Sequence, residues 1–384
     1  MNPYISTTVQ QLAPSGIRAF FDLVLGMKDV ISLGVGEPDF VTPWHIREKA
    51  ITSLEQGYTS YTSNKGMIEL RREIGHFLKR RYDLSYDPEE QILITVGVSE
   101  GLDLAMRAIL NPGDKVLVPE PAYVSYGPVV ELAGGRPIYL RTKAENDFKL
   151  TADQINKICQ PGTKALMINY PSNPTGTSYT RQELLEIARA AAKRNLLIVS
   201  DEVYDELTYD FDHTPLATLP GMKDRVIYLN GFSKAYAMTG FRLGYVCGHP
   251  AIVGAMTKIH QYTMLCASIT AQIAAVEALK NGLKDVVEMK REYKRRRRFV
   301  VTSLNEMGLS CHNPDGAFYV FPSIKSTQQS SLDFAKNLLK KKKVALVPGV
   351  AFGPSVESFI RISYASSYEN LKEAMARIRD YLGR

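Results

Sequence analysis

Between about residue 45 and about residue 280, short apolar runs of strand length alternate with longer stretches of helical periodicity, and this alternation constrains the fold more than any other feature. The apolar runs are "ILIT" at 92, "KVLVP" at 115, "KALMIN" at 164, "LLIVS" at 196 and "VIYL" at 226. Helical patterns fall between them, from Ser99, near residue 123 and from Thr180. That order predicts an α/β domain, with a mainly parallel sheet covered by helices on both faces. After about residue 285 the pattern changes to a long charged helix, "AFYVF", a helix from about 331, "VALVP", "FIRISY" and a terminal helix. The expected organisation is a large domain over 45–284. A smaller α+β domain is expected from 285–384 with an N-terminal arm, 1–44, that carries "ISLGVGEPDF". Sheets of this kind gather their ligands at strand ends and in the loops that follow.

A chain of 384 residues is long enough for two such domains, and 45% hydrophobic with 23% charged residues fits a globular protein rather than a disordered one. No apolar run approaches the roughly 20 residues that span a bilayer, and "MNPYISTTVQQLAPSG" lacks a signal peptide's basic and apolar regions. A cytoplasmic location is therefore expected. The net charge of +7 concentrates in "KRRRR" at 294–298 and "KKKK" at 340–343. Both runs sit in helical patterns with acidic and apolar neighbours, so they are read as solvated helix faces. No nucleic-acid or membrane partner is expected. Cys159, Cys247, Cys266 and Cys311 are widely spaced, and no pair of histidines has ligand spacing, so neither a disulfide framework nor a metal centre is expected.

Chemistry concentrates elsewhere. In "NGFSKAYAMTGFRLGY", Lys234 stands among small and apolar residues, surroundings that lower a lysine's pKa and free its amine to attack an aldehyde. Arg242 follows eight residues later, where a planar cation could grip a phosphate with help from the Ser233 hydroxyl. "TVGVSEGL" offers a second anion site: a strand ends at Thr95, and the backbone amides of Val98 and Ser99 open a helix. Asp201 ends the apolar run "LLIVSD", a costly place for a carboxylate unless it meets a cation such as a pyridinium or caps a helix. Tyr204 and Asn173 could donate to a phenolic oxygen, and Tyr123 could lie on an aromatic ring. These residues suggest a ligand with an aldehyde at one end and a phosphate at the other.

The segments "LGVGEPDF", "YPSNPTG", "SDEVY", "SKAYAMTGFRLGY" and "FIRISY", in this order, resemble the class I and II aminotransferases of the fold type I pyridoxal-phosphate enzymes. The likeness runs from about residue 15 to the terminal helix. It is greatest to the aspartate and aromatic branch, with its Bacillus aminotransferases of the PatA and YugH type. The resemblance implies pyridoxal 5'-phosphate as cofactor, with Lys234 as the Schiff-base lysine and Asp201 on the pyridine nitrogen. It implies Tyr204 and Asn173 on the phenolic oxygen, Tyr123 on the ring face, and Ser233, Arg242, Val98 and Ser99 at the phosphate. Arg361 matches the arginine that pairs with the substrate α-carboxylate, beside the Gly36 backbone and Asn173. Tyr61 matches a tyrosine that reaches the neighbouring subunit's phosphate, which implies a homodimer with shared active sites.

The expected reaction moves an amino group from an L-amino acid to a 2-oxo acid, 2-oxoglutarate being the family's commonest acceptor, with ping-pong kinetics. Aspartate-selective relatives often carry a lysine where this chain has Ser99, so strict aspartate specificity is not expected. Trp44, Tyr61 and Phe352 are candidates for an aromatic side-chain pocket, and an acylated diaminopimelate precursor is a further donor class. The alternatives are a carbon-sulfur β-lyase on the same fold and a cofactor-sensing regulator, for which no added DNA-binding segment is visible.

Overall fold

The computed structural model describes residues 2–14, 16 and 26–383. Residues 1, 15 and 17–25 of the expected N-terminal arm, and residue 384, lie outside the described residues. A two-residue strand, β1 (Ile31–Ser32), precedes the main sheet of β2 (Ile92–Thr95), β3 (Lys115–Glu120), β4 (Arg136–Arg141), β5 (Thr163–Asn169), β6 (Leu197–Asp201), β7 (Val226–Gly231) and β8 (Gly244–Cys247). Its order is β2-β8-β7-β6-β5-β3-β4, and every neighbouring pair is parallel except the two that β8 makes with β2 and β7. The fold is thus α/β with a mainly parallel sheet, as the alternation predicts.

The five apolar runs all form strands because each is buried on both faces, where continuous Val, Ile and Leu are favoured. Two strands carry no such signal. β4, "RPIYLR", is an edge strand with largely exposed side chains, and β8, "GYVC", is four residues long. The helix expected from Ser99 begins at Gly97, and the one expected near 123 begins at Tyr126. Thr180 is the N-cap of Arg181–Lys193, its hydroxyl accepting from the Glu183 amide in a capping box.

The later segment supplies β9 (Tyr319–Val320), β10 (Val344–Ala345), β11 (Val347–Pro348) and β12 (Ile360–Ser363). "VALVP", expected as one strand, divides: β10 pairs in parallel with β1, and β11 pairs antiparallel with β12, which continues to β9. The N-terminal segment is therefore hydrogen-bonded to the C-terminal one.

One basic run departs from expectation. In the helix Leu283–Glu306, Arg296 and Arg297 are buried rather than solvated, and they pair with Asp39 at 2.8 Å and Asp210 at 2.7 Å. The acids come from distant parts of the chain and permit that burial. Lys340 and Lys341 are exposed, and Lys342 pairs with Asp380.

The single reversed strand shapes one rim of the sheet. Thr95 at the end of β2 and Gly231 at the end of β7 both lie opposite Gly244, the first residue of β8. A Cβ on Gly244 would come within 2.7 Å of the Gly97 carbonyl carbon and the Val98 nitrogen. β8 and the helix Gly97–Ile109 thus approach backbone to backbone, and only glycine fits between them. Gly244→Ala is expected to lower stability by roughly 1–3 kcal/mol in chemical denaturation, because backbone must move. Gly254, which has nothing within 4 Å of an added Cβ and lies inside a helix, provides the contrast. Gly254→Ala is expected to be neutral or to stabilise by about 0.5–1 kcal/mol.

Candidate active site

A cavity of about 820 Å³ opens at this rim. Asp201, at the end of β6, is buried in its wall. Its Oδ2 accepts from the Tyr126 hydroxyl at 2.8 Å and its Oδ1 from the Val203 amide at 3.3 Å. Burial raises its pKa to about 6, against the lowering effect of those donors. Such a carboxylate gains strongly from a cation.

Lys234 follows the end of β7 and is half-buried across the cavity. Its Nζ donates to the Gly36 carbonyl at 2.6 Å and lies 5.9 Å from the ring centres of Tyr204 and Phe318. Burial drives its pKa down to about 8. Glu37 and Asp201 oppose the fall, and Arg361 and Arg242 add to it. An amine so placed is still mostly protonated at pH 7, but it is neutral far more often than an ordinary lysine, and the neutral form is the one that attacks an aldehyde.

At one end of the cavity the Gly97–Ile109 helix presents Val98 and Ser99 in its first turn, whose amides have no intrahelical acceptor. Gly97 has φ of +74°, and a Cβ there would meet the Arg242 Nη2 at 2.8 Å, so the guanidinium lies flat against the turn. Ser233 and Arg242 line the same end, and Arg242 Nη1 also donates to the Thr239 carbonyl at 3.2 Å. Two cationic or amide donor sets thus converge on one point, which suits an anion.

Arg361, on β12, lies on the side opposite the sheet rim and is 2% exposed. Its Nη1 donates to Asn173 Oδ1 at 2.8 Å and its Nη2 to the Gly34 carbonyl at 2.6 Å, while Nε has no partner among the described residues. The guanidinium sits 4.5 Å from the Tyr319 ring centre and 5.1 Å from that of Phe352. Burial lowers its pKa, and no ion pair to a carboxylate is present among the described residues.

The cavity therefore brings together Gly36, Val98, Ser99, Tyr123, Asn173, Asp201, Tyr204, Ser233, Lys234, Arg242 and Arg361. Tyr61, 82% exposed, does not line it, nor does Trp44, 58% exposed, whereas Phe352 is buried beside Arg361. Three contributors escaped sequence reasoning. Tyr126 holds Asp201, and Tyr319 shares a 2.9 Å hydrogen bond with the Tyr204 hydroxyl. Tyr126 lies three residues after Tyr123, and Tyr319 lies in "AFYVF", but nothing local marks their partners. Glu37, whose Oε2 accepts from Thr239 Oγ1 at 3.1 Å, is a third.

The depressed Lys234 pKa has a sign that can be checked. Its ordinary value is 10.5, so the folded state disfavours the charged amine; the cost is full below about pH 8 and disappears as pH rises to 10.5. Lys234→Met in cofactor-free protein is expected to raise the denaturation midpoint at pH 7 and to lose that advantage above pH 10.5.

The sequence model for "Aminotransferase class I and II" matches residues 28–378. The Bacillus subtilis protein YugH is 55% identical over 100% of this chain and 99% of its own length. The aspartate aminotransferase of Pyrococcus abyssi is 46% identical, with 98% of each chain covered. The crystal structure of the aromatic aminotransferase from Pyrococcus horikoshii superposes with a TM-score of 0.91 at 44% identity, covering 96% of this chain and 98% of that one. These relatives support transamination and do not favour the β-lyase alternative. The chain belongs to the class I and II aminotransferases, a pyridoxal-phosphate-dependent family, and is an aminotransferase.

Proposed function

We propose that this aminotransferase binds pyridoxal 5'-phosphate in the cavity and takes its amino group from donors with aromatic or neutral side chains, with 2-oxoglutarate as acceptor. The observation that carries the reading is the cavity's charge arrangement: a buried acid, an amine whose pKa burial lowers and two separate cationic anion sites around one space. The residues fit the cofactor. The Val98 and Ser99 amides, Ser233 and Arg242 would hold its phosphate, Asp201 its ring nitrogen, Asn173 and Tyr204 its phenolic oxygen, and Tyr123 its ring face. When bound, the cofactor supplies an aldehyde that condenses with amines and a protonated pyridine that acts as an electron sink.

The chain's own groups account for the rest. Asp201, which gains from any cation, keeps the ring nitrogen protonated, and Tyr126 fixes the carboxylate's direction. Arg361 receives the substrate α-carboxylate, whose charge the buried guanidinium otherwise lacks, while Asn173 and the Gly36 segment hold the other side. So fixed, the substrate would turn its Cα hydrogen toward Lys234, whose Nζ would be the group that holds and moves that proton. Ping-pong kinetics follow from two such half-reactions sharing one site.

Donor class follows from counting cations. Lys234, Arg242 and Arg361 are the Lys and Arg side chains lining the cavity among the described residues, and each already has a role. Within one protomer's described residues none is left for a distal carboxylate, while Val35, Tyr123 and Val124 line the wall and Phe352 packs beneath Arg361. Aromatic and neutral donors therefore fit this wall directly, and the distal carboxylate of 2-oxoglutarate would draw on a cation from the partner protomer. The exposed Tyr61 supports a homodimer in which it completes the partner's phosphate site. The proposed domains are 45–284 and 1–44 with 285–384, and the location is cytoplasmic. Among the described residues no helix is long and apolar enough to cross a membrane.

An amino-donor panel with 2-oxoglutarate tests the donor class. Phenylalanine and tyrosine are expected to exceed aspartate in kcat/KM by about tenfold or more; aspartate equal to or better than both would overturn the assignment. Arg361→Lys, which keeps a charge but loses the two-pronged geometry, is expected to cost about 2–4 kcal/mol in kcat/KM for every donor alike. A loss confined to one donor would instead place Arg361 in the side-chain pocket.

A further inference from the structure

A buried acid and histidine lie behind the helix turn assigned to the cofactor phosphate, and no step of the reaction uses them. Glu100, in the first turn of Gly97–Ile109, is 8% exposed, and His260, on the neighbouring helix Pro250–Thr263, is fully buried. Glu100 Oε2 accepts from the Val96 amide at 2.5 Å, and Glu100 Oε1 lies 2.5 Å from His260 Nδ1. His260 Nε2 is buried without a partner among the described residues. The arrangement that leaves no buried N–H unpaired is a neutral ring with its proton on Nδ1, donating to Glu100.

The consequence is geometric. Val96 is the N-cap residue between β2 and the helix, so the carboxylate ties down the entry to the turn, and His260 ties the carboxylate to a separate helix. Thr95 Oγ1 adds a 2.9 Å bond to the Gly97 carbonyl from the other side. An acid in a helix's first turn ordinarily competes for the free amides there. Here both carboxylate oxygens are engaged behind the turn, and the front amides stay open to a ligand.

We propose that the Glu100–His260 pair is a positioning device that holds the Gly97–Ser99 turn in its phosphate-receiving shape and thereby sets phosphate affinity. The inference rests on the cofactor reading above. It predicts an effect on the phosphate contact alone, because Glu100 bonds to Val96 and His260 while Lys234 bonds to the Gly36 carbonyl.

Cofactor-free protein should be titrated with pyridoxal 5'-phosphate and with pyridoxal, which lacks the phosphate, and the ratio of dissociation constants compared among variants. His260→Phe is expected to weaken pyridoxal phosphate about tenfold while pyridoxal stays within about twofold, since one partner of a buried polar pair is lost. Glu100→Gln, which keeps one oxygen for the Val96 amide but turns an NH2 donor toward His260 Nδ1, is expected to shift the ratio in the same direction as His260→Phe does. If His260→Phe does not yield folded protein, Glu100→Leu is read in the same way. A pair that merely stabilises the fold would lower the melting temperature and leave the ratio unchanged, and that result overturns the proposal. Wild-type protein with no preference for the phosphorylated ligand would instead fail the cofactor reading itself.

Discussion

A guanidinium buried without a carboxylate partner among the described residues is the constraint on which the rest of the site depends. Removing Arg361 from water carries a desolvation cost that a protein ordinarily offsets with an ion pair. This chain offers neutral acceptors instead: the Asn173 side chain and the Gly34 carbonyl, with the faces of Tyr319 and Phe352 against the charge. Each comes from a different part of the chain, so the site forms only when the N-terminal strap, the loop after β5, β9 and β12 are all in place. The same strap carries Gly36, whose carbonyl accepts from Lys234. In the proposed reading an incoming carboxylate would supply the counter-ion, and substrate binding would relieve that cost.

The opposite wall obeys a different rule, set by backbone approach. Reversing one strand, β8, in an otherwise parallel sheet puts Gly244 against the Gly97–Val98 peptide and brings Arg242 over the helix turn. The turn thereby combines free amides with a flat cation, while Glu100 and His260 hold it from behind. Between the two walls, burial shifts Asp201 up and Lys234 down, bringing both toward neutral pH. Polarity at the two ends and desolvation in the middle make a single cavity fit an anion, a cationic ring and a second anion in order.

Much of this was legible in the sequence because the informative signals are local. Strands buried on both faces announce themselves as apolar runs, whereas the edge strand β4 and the four-residue β8 do not. Lys234, Asp201 and Arg242 stand out by contrast with their immediate neighbours. Tyr126 and Tyr319 do not, since their partners lie 75 and 115 residues away. The reading of "KRRRR" as solvated holds for Lys294, Arg295 and Arg298 but not for Arg296 and Arg297, for the same reason: Asp39 and Asp210, which permit those two to be buried, are remote in the chain. Charge runs report composition, and burial depends on partners that only the fold brings near.

The central claim is that Lys234, alone among the chain's lysines, is placed and poised to join covalently with the cofactor aldehyde. Borohydride reduction of protein saturated with pyridoxal phosphate, followed by proteolysis and mass spectrometry, tests it most directly. The account predicts a phosphopyridoxyl group on the peptide containing Lys234 and loss of that label in Lys234→Ala. Label on another lysine, or unchanged labelling in Lys234→Ala, would contradict it.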